Sequence, residues 1–238
     1  MTSQPLRPRF FVTAESACSY LPGRTERKVF AELRGGAASA TNDTLGRIGF
    51  RRSQNVAYRP SCIGCAACVS VRIPVAAFAP SRSQRRTIAA HADLSSSVCQ
   101  PWATQEQYDL MLRYLALRHP DGGMARMDAH DFADMIEATP VDTVIVEYRD
   151  KDDTLMGATL ADVQSDGLSL VYSWYDAVSR PGLGTAMILD QVRRAGEAGL
   201  PHVYLGYWVQ NSPRMAYKAR FRPLERLTKD GWKTFDPS

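Results

Sequence analysis

Long hydrophobic runs are missing from this 238-residue chain. No apolar stretch approaches the ~20 residues that a membrane-spanning helix needs. The opening Met1-Thr2-Ser3-Gln4-Pro5 lacks the apolar core of a signal peptide, so a cytoplasmic chain without a membrane partner is expected. Acid is missing from one long stretch: between Asp43 and Asp93 stand eight arginines and no Asp or Glu. Histidine is sparse, and His91, His119, His130 and His202 are too scattered to mark a partner for a catalytic cysteine. The five cysteines are an odd number, which excludes a fully paired disulfide framework and fits a reduced compartment. Internal repeats and low-complexity segments are also absent.

What is present is 45% hydrophobic content, enough for one large domain or two modest ones. The net charge of +4 hides an asymmetry. Residues 1–100 hold 14 Lys and Arg against 5 Asp and Glu, a net of +9; residues 101–238 hold 15 against 20, a net of −5. Two domains are expected on this basis, a basic, cysteine-containing one over 1–100 and a second over 101–238. A basic half rich in arginine suits a polyanion, because the guanidinium fork pairs bidentately with phosphate. A solvated basic face is the plainer alternative.

The most ordered pattern runs from Leu155 to Pro223. Two β-rich runs, Leu155–Val163 and Leu168–Tyr175, flank Gln164-Ser165-Asp166-Gly167, a hairpin signal. The Gly-turn Ser179-Arg180-Pro181-Gly182-Leu183-Gly184-Thr185 opens a helix that stops at Gly199-Leu200-Pro201. A strand over His202–Val209 follows, and a short helix is expected after Pro213. Hairpin, Gly-turn, helix and strand predict an α/β (α+β) fold with an N-acetyltransferase-like C-terminal core. In that core the backbone N–H groups of the turn hold a phosphate at the helix N-terminus.

Elsewhere the first dozen residues read as an extended lead-in, Thr25–Leu33 as a short helix and residues 35–44 as a loop. Strands are expected within Gly46–Tyr58, Val69–Phe78 and Val141–Tyr148. Helices are expected from Ser81 to His91, Thr104 to His119 and Ala129 to Ala138, with turns at Pro120-Asp121-Gly122-Gly123 and Arg149–Asp153. The tail from Arg226 reads as loop or short strand.

Cys62-x2-Cys65-x2-Cys68 is compact enough for one loop to present several thiolates to zinc or an iron–sulfur cluster, with Cys18 or Cys99 as a fourth ligand. Close packing of small side chains in a strand-entry loop reads equally well.

Several stretches together resemble one family, the bacterial aspartate/glutamate leucyltransferases, relatives of the eukaryotic arginyl-tRNA–protein transferases. They are Cys18-Ser19-Tyr20-Leu21-Pro22-Gly23-Arg24, Gly46-Arg47-Ile48-Gly49-Phe50-Arg51-Arg52-Ser53-Gln54, Tyr58-Arg59-Pro60-Ser61-Cys62, Arg82-Ser83-Gln84-Arg85, Tyr204-Leu205-Gly206-Tyr207-Trp208-Val209 and Met215-Ala216-Tyr217-Lys218. The resemblance runs from about Phe11 to Leu227. It implies that leucine passes from leucyl-tRNA to the α-amino group of a protein beginning with Asp or Glu, creating a degradation signal of the N-degron pathway. The partners implied are leucyl-tRNA and acidic-starting acceptor proteins, with no cofactor required for the transfer itself. Arginyl transfer to the same acceptors and acetyl-CoA-dependent N-acetyl transfer are the enzymatic alternatives. A non-catalytic nucleic-acid module with a cysteine knuckle is the alternative from another class.

Under this reading the enzyme mainly positions an amine against an activated ester. Asp162 is the candidate to accept the amine's proton, a turn-capping role being its alternative; the matching position in the eukaryotic relatives is also Asp. Tyr172 and Ser173 would orient ester or amine, unless they only pack. Tyr207 and Trp208 would wall the leucyl side chain or the terminal adenosine. Gly182 and Gly184, Arg82, Arg85, Arg86 and Lys218 would hold the aminoacyl-tRNA. Arg51, Arg52, Arg59 and Arg72 would supply a fork for the acceptor's carboxylate. Cys18, Cys62, Cys65 and Cys68 would be the metal set, if metal is bound.

Overall fold

Two β-runs with a two-residue turn build the centre of the molecule, and the rest is added on either side. The computed structural model describes residues 8–120 and 122–236; residues 1–7 of the expected lead-in and Asp121 of the expected turn lie outside them. In chain order the strands are β1 (Phe10–Val12), β2 (Ser16–Ala17), β3 (Thr25–Glu26), β4 (Lys28–Glu32), β5 (Arg51–Ser53), β6 (Val56–Pro60) and β7 (Cys68–Pro74). They continue as β8 (Ser95–Cys99), β9 (Thr143–Arg149), β10 (Leu155–Gln164), β11 (Gly167–Tyr175), β12 (His202–Val209), β13 (Leu224–Thr228) and β14 (Gly231–Phe235). The α-helices are α1 (Ala38–Arg47), α2 (Arg82–Ala90), α3 (Gln105–Arg118), α4 (Ala129–Glu137) and α5 (Leu183–Glu197), and a 3-10 segment spans Pro213–Arg220.

Eight strands form one sheet in the order β14-β13-β7-β12-β11-β10-β9-β8. Its centre is apolar on both faces, as a sheet covered by helices on each side must be. On β9, Ile145 packs with Leu110, Met111 and Leu115 of α3 and with Phe132 and Ile136 of α4. Its neighbour Val146 points the other way, to Leu183 and Met187 of α5. Helix α5 further buries Ile188, Leu189 and Val192 against Val71, Leu168 and Val203. Among the described residues no helix is long and apolar enough to cross a membrane.

A smaller sheet, β1-β4-β6-β5, packs with α1 around Ala31, Leu33, Leu45, Phe50 and Ala57. Two local expectations fail here. The helix expected over Thr25–Leu33 is strand, because Val29 and Phe30 find pairing partners in Arg59 and Tyr58 of β6. The loop expected over residues 35–44 is largely helix α1, whose small residues let Asn42 and Leu45 turn inward. Ladder pairing and burial override weak local propensity in both places. The division expected at residue 100 also falls inside a sheet. Strand β7 pairs along its length with β12, and β8 pairs with β9, so strands from both sides of that position share one core.

Candidate active site

Strands β11 and β12 run parallel but pair at only three positions, Gly167↔His202, Leu168↔Val203 and Ser169↔Tyr204. Beyond them β11 continues to Tyr175 and β12 to Val209, and the two diverge. The divergence begins at an irregularity in β12 between Tyr204 and Gly206, where the register to β7 also slips. Gly206 has φ of 79°, the left-handed region that favours glycine. A Cβ there would stand 2.9 Å from the Arg51 guanidinium carbon, so glycine answers a steric need as well.

Parting strands leave backbone carbonyls without ladder partners, and buried ones must find others. Two cations supply them. Arg51 enters the opening from β5 and donates to Ser169 Oγ at 3.3 Å, to Tyr204 O at 3.4 Å and to Leu170 O. Lys218 enters from the 3-10 segment, and its Nζ donates to Tyr207 O at 2.6 Å. Lys218 is 5% exposed. Burial, and next the neighbouring Arg51 charge, bring its amine down to about 7.

Tyrosines rim the opening. Tyr172 and Tyr175 come from β11, and the Tyr175 ring lies 5.1 Å from that of Tyr114 on α3. Tyr217 stands next to Lys218 and is 41% exposed. Burial, with Tyr217 adding, pushes the Tyr172 hydroxyl up to about 12, so it stays a protonated donor at neutral pH. Ser173 Oγ lies 3.2 Å from Thr159 Oγ. The Gly-turn closes one end of the rim. Gly182 caps α5 with φ of 87°, and Gly184 lies so near Tyr175 that a Cβ would meet its ring at 2.7 Å. The open side of Gly182 faces Thr87 and His91 around α2. On that helix Arg82, Arg85 and Arg86 are all exposed.

Of the residues expected from sequence, the structure brings Arg51, Tyr172, Gly182, Gly184 and Lys218 to this opening or its edge, while Ser173 meets the buried Thr159 of β10. It moves others away. Asp162 is 1% exposed and held by Arg52, with Nε–O distances of 2.9 and 2.8 Å and an Nη2–Oδ1 distance of 2.7 Å. Thr143 Oγ1 donates to the same carboxylate at 2.9 Å. Neither Asp162 as proton acceptor nor Arg52 as acceptor fork is accessible to a substrate. Arg72 is paired with Glu225 at 2.7 Å and stacked 4.3 Å from the Trp232 ring centroid, so it too is committed. Arg59 is exposed, donates to Ile48 O at 3.1 Å and lies over Phe50, outside the opening. Tyr207 and Trp208 do not form one wall, since adjacent strand residues face opposite ways. The Tyr207 hydroxyl donates to Gly49 O and Tyr58 O, tying the small sheet to the large one, while Trp208 packs on Phe235. Tyr114 and Tyr175 were not foreseen; neither carries a local sequence signal, and their meeting depends on how α3 packs.

The four cysteines do converge. Cys18, Cys62, Cys65 and Cys68 line a cavity of about 60 Å³ with Tyr20, Tyr58 and Tyr207. Burial, with the other three thiols next, pushes the Cys68 thiol up to about 12. Cys65 is lowered by the Ala67 N–H and by Arg24. Among the described residues, no group of three or more His, Cys, Asp or Glu is arranged to hold a metal ion. The cysteines therefore share a cavity without forming a closed ligand set.

A sheet whose parallel strands part after three pairs, joined by a helix behind a Gly-turn, defines an N-acetyltransferase-like fold. A conserved protein of unknown function from Bacteroides thetaiotaomicron shares that fold with a TM-score of 0.51 at 11% identity, covering 79% of this chain and 63% of its own. Family models for the arginine-tRNA-protein transferases match residues 16–86 with the N-terminal part and 106–228 with the C-terminal part. The aspartate/glutamate leucyltransferase of Sphingopyxis alaskensis is 60% identical over 99% of this chain and 95% of its own length. That of Rhizorhabdus wittichii is also 60% identical, over 99% of this chain and 91% of its own. The chain belongs to the aspartate/glutamate leucyltransferase family.

Proposed function

We propose that the chain moves leucine from leucyl-tRNA to the α-amino group of proteins beginning with Asp or Glu, marking them for degradation through the N-degron pathway. The observation that carries the reading is Lys218, a buried amine near neutrality placed where β11 and β12 part. The attacking α-ammonium has a pKa of ~7.7–8.0 and must lose a proton before its nitrogen can add to the leucyl ester carbonyl. Neutral Lys218 takes that proton. Lys218 passes that proton to solvent; as the C–N bond forms it takes the nitrogen's second proton and gives it to the tRNA 3′-oxygen as the C–O bond to that oxygen breaks. Arg51 holds the opening in shape, and its charge helps keep Lys218 neutral. The tyrosine rim offers faces for the terminal adenosine and the leucyl side chain. The Gly182 turn and the α2 arginines lie along the course of the acceptor-stem phosphates.

The test is to offer labelled leucyl-tRNA and arginyl-tRNA, each with peptides beginning Asp, Glu, Arg or Ala. Label should reach the Asp and Glu peptides, and from leucyl-tRNA. Transfer from arginyl-tRNA alone, or acetylation from acetyl-CoA in its place, would replace the reading with one of its rivals, which the relatives' name does not favour.

Donor binding should weaken steeply with salt, since each phosphate neutralised by a cation adds about 0.7–0.9 to the log–log slope. Reversing charge at Arg82, Arg85 and Arg86 together should flatten that slope and weaken leucyl-tRNA binding by an order of magnitude or more. The Asp-over-Asn preference for acceptors should be unmoved. A slope equal to wild type would take tRNA off α2.

A further inference from the structure

The cysteine cavity has a second lining that the transfer chemistry leaves unused. Glu26 and Lys28 come from β3 and β4, paired at 2.7 Å, with Lys28 Nζ 5.7 Å from the Tyr58 ring centroid. Arg24 comes from the turn before β3; its Nη1 donates to Cys65 Sγ at 3.6 Å, and among the described residues it has no carboxylate partner. Arg27 adds a covered Nε that lacks an acceptor. The lining thus carries three cations and one carboxylate around a small space closed by tyrosines. Sulfur is a weak acceptor, so an arginine held by a thiol at 3.6 Å is poorly satisfied. A carboxylate arriving there would make the stronger, charge-assisted bond.

The cavity also has the right neighbour. Tyr207 is part of its lining, and the Tyr207 carbonyl is the group that Lys218 holds in the opening. One residue is therefore the partition between cavity and transfer centre. An acidic side chain is short, with one or two carbons between Cα and the carboxyl carbon. A carboxylate seated in the cavity keeps its own α-amino group close to that partition.

We infer that this cavity is the acceptor's specificity pocket: the side chain of an N-terminal Asp or Glu enters it and pairs with Arg24 and Lys28. The inference rests on the leucyl-transfer reading for its purpose, though not for its test. Lys28 then turns from Glu26 toward the incoming carboxylate. An Asn or Gln first residue matches in shape but brings no charge, and leaves the cations with their weak partners.

Two measurements test it. The first needs no tRNA. The Cys65 thiol, whose sulfur accepts from Arg24 in the cavity wall, reports on the site through its rate of alkylation. A saturating Asp-starting peptide should slow Cys65 alkylation several-fold, and the Asn-starting peptide should not. The second is the ratio of leucyl transfer rates to Asp- and Asn-starting peptides, read within each of Arg24→Gln and Lys28→Gln. A ratio cancels differences in the fraction folded, and it should fall by roughly 10–100-fold. Alkylation unslowed by the Asp peptide, or a ratio equal to wild type in both variants, overturns the pocket. If wild type moves leucine to no peptide while the Asp peptide still protects Cys65, the transfer reading fails and the pocket stands.

Discussion

Lys218→Met should lower the rate of leucyl transfer by ~10²–10⁴-fold, the range expected for losing one positioned acid–base group. The loss should fall on turnover with bound donor and acceptor, because the amine acts on the proton only in the chemical step. Affinity for leucyl-tRNA should change little. Methionine keeps most of the buried stem, so the fold should survive, and the carbonyl of Tyr207 loses a donor that water entering the opening can replace. Single-turnover rates and donor titrations on the same preparation separate the two effects. A variant with wild-type turnover and weakened donor binding would make Lys218 a tRNA contact instead.

Asp162→Asn should destabilise the protein by about 3–5 kcal/mol, the usual cost of breaking one side of a buried ion pair. For a chain of this size that is a fall in Tm of roughly 6–20 °C. The side chains of Arg52 and Asp162 are 0 and 1% exposed, so neither charge can turn to solvent when its partner goes. The pair joins β5 of the small sheet to β10 of the large one. The residue before Arg52 is Arg51, which on the opposite face of the same strand fills the opening. Replacing both partners with apolar residues, Asp162→Leu with Arg52→Met, should recover much of the stability. Thermal unfolding of the single and double variants checks this. A single variant as stable as wild type would mean the pair contributes nothing, and a role for Asp162 in proton transfer would have to be reconsidered.

How far the sequence alone reaches depends on how local each cause is. The Gln164–Gly167 hairpin, the Gly182 turn and helix α5 were legible because turn chemistry and periodicity lie within a few residues of one another. The caps of α2 and α3 were legible for the same reason: Ser81 with Gln84, and Thr104 with Gln107, each form a capping box. Strand β4 was not, because Val29 and Phe30 become strand only by meeting β6.

The site divides the same way. Lys218 and the Gly-turn stand out in the sequence by position, Lys218 there as a contact for the aminoacyl-tRNA and not as the proton acceptor. Asp162 was misread because its partner is Arg52, separated from it by 110 residues, and nothing near either one announces the pairing. Four arginines in one acid-free stretch look alike in sequence. Only the fold shows that Arg51 fills the opening, Arg52 is locked, Arg59 is outside and Arg72 is paired with Glu225.

Lys218 also fixes the sign of the pH dependence. Its folded amine titrates at about 7 against an ordinary value of 10.5, so between those values the unfolded chain holds a proton that the folded chain has lost. Stability should therefore rise with pH across that window and be lost as pH falls through about 7. The same ionisation governs transfer. The most direct test of the account is the pH profile of single-turnover leucyl transfer from bound leucyl-tRNA to an Asp-starting peptide, in wild type and in Lys218→Arg. Wild type should rise through about 7 to a plateau. The arginine variant, unable to give up its proton, should be slow and should rise only through the acceptor's own ~7.7–8.0. Superimposable profiles would contradict the claim that the amine between the parting strands takes the acceptor's proton.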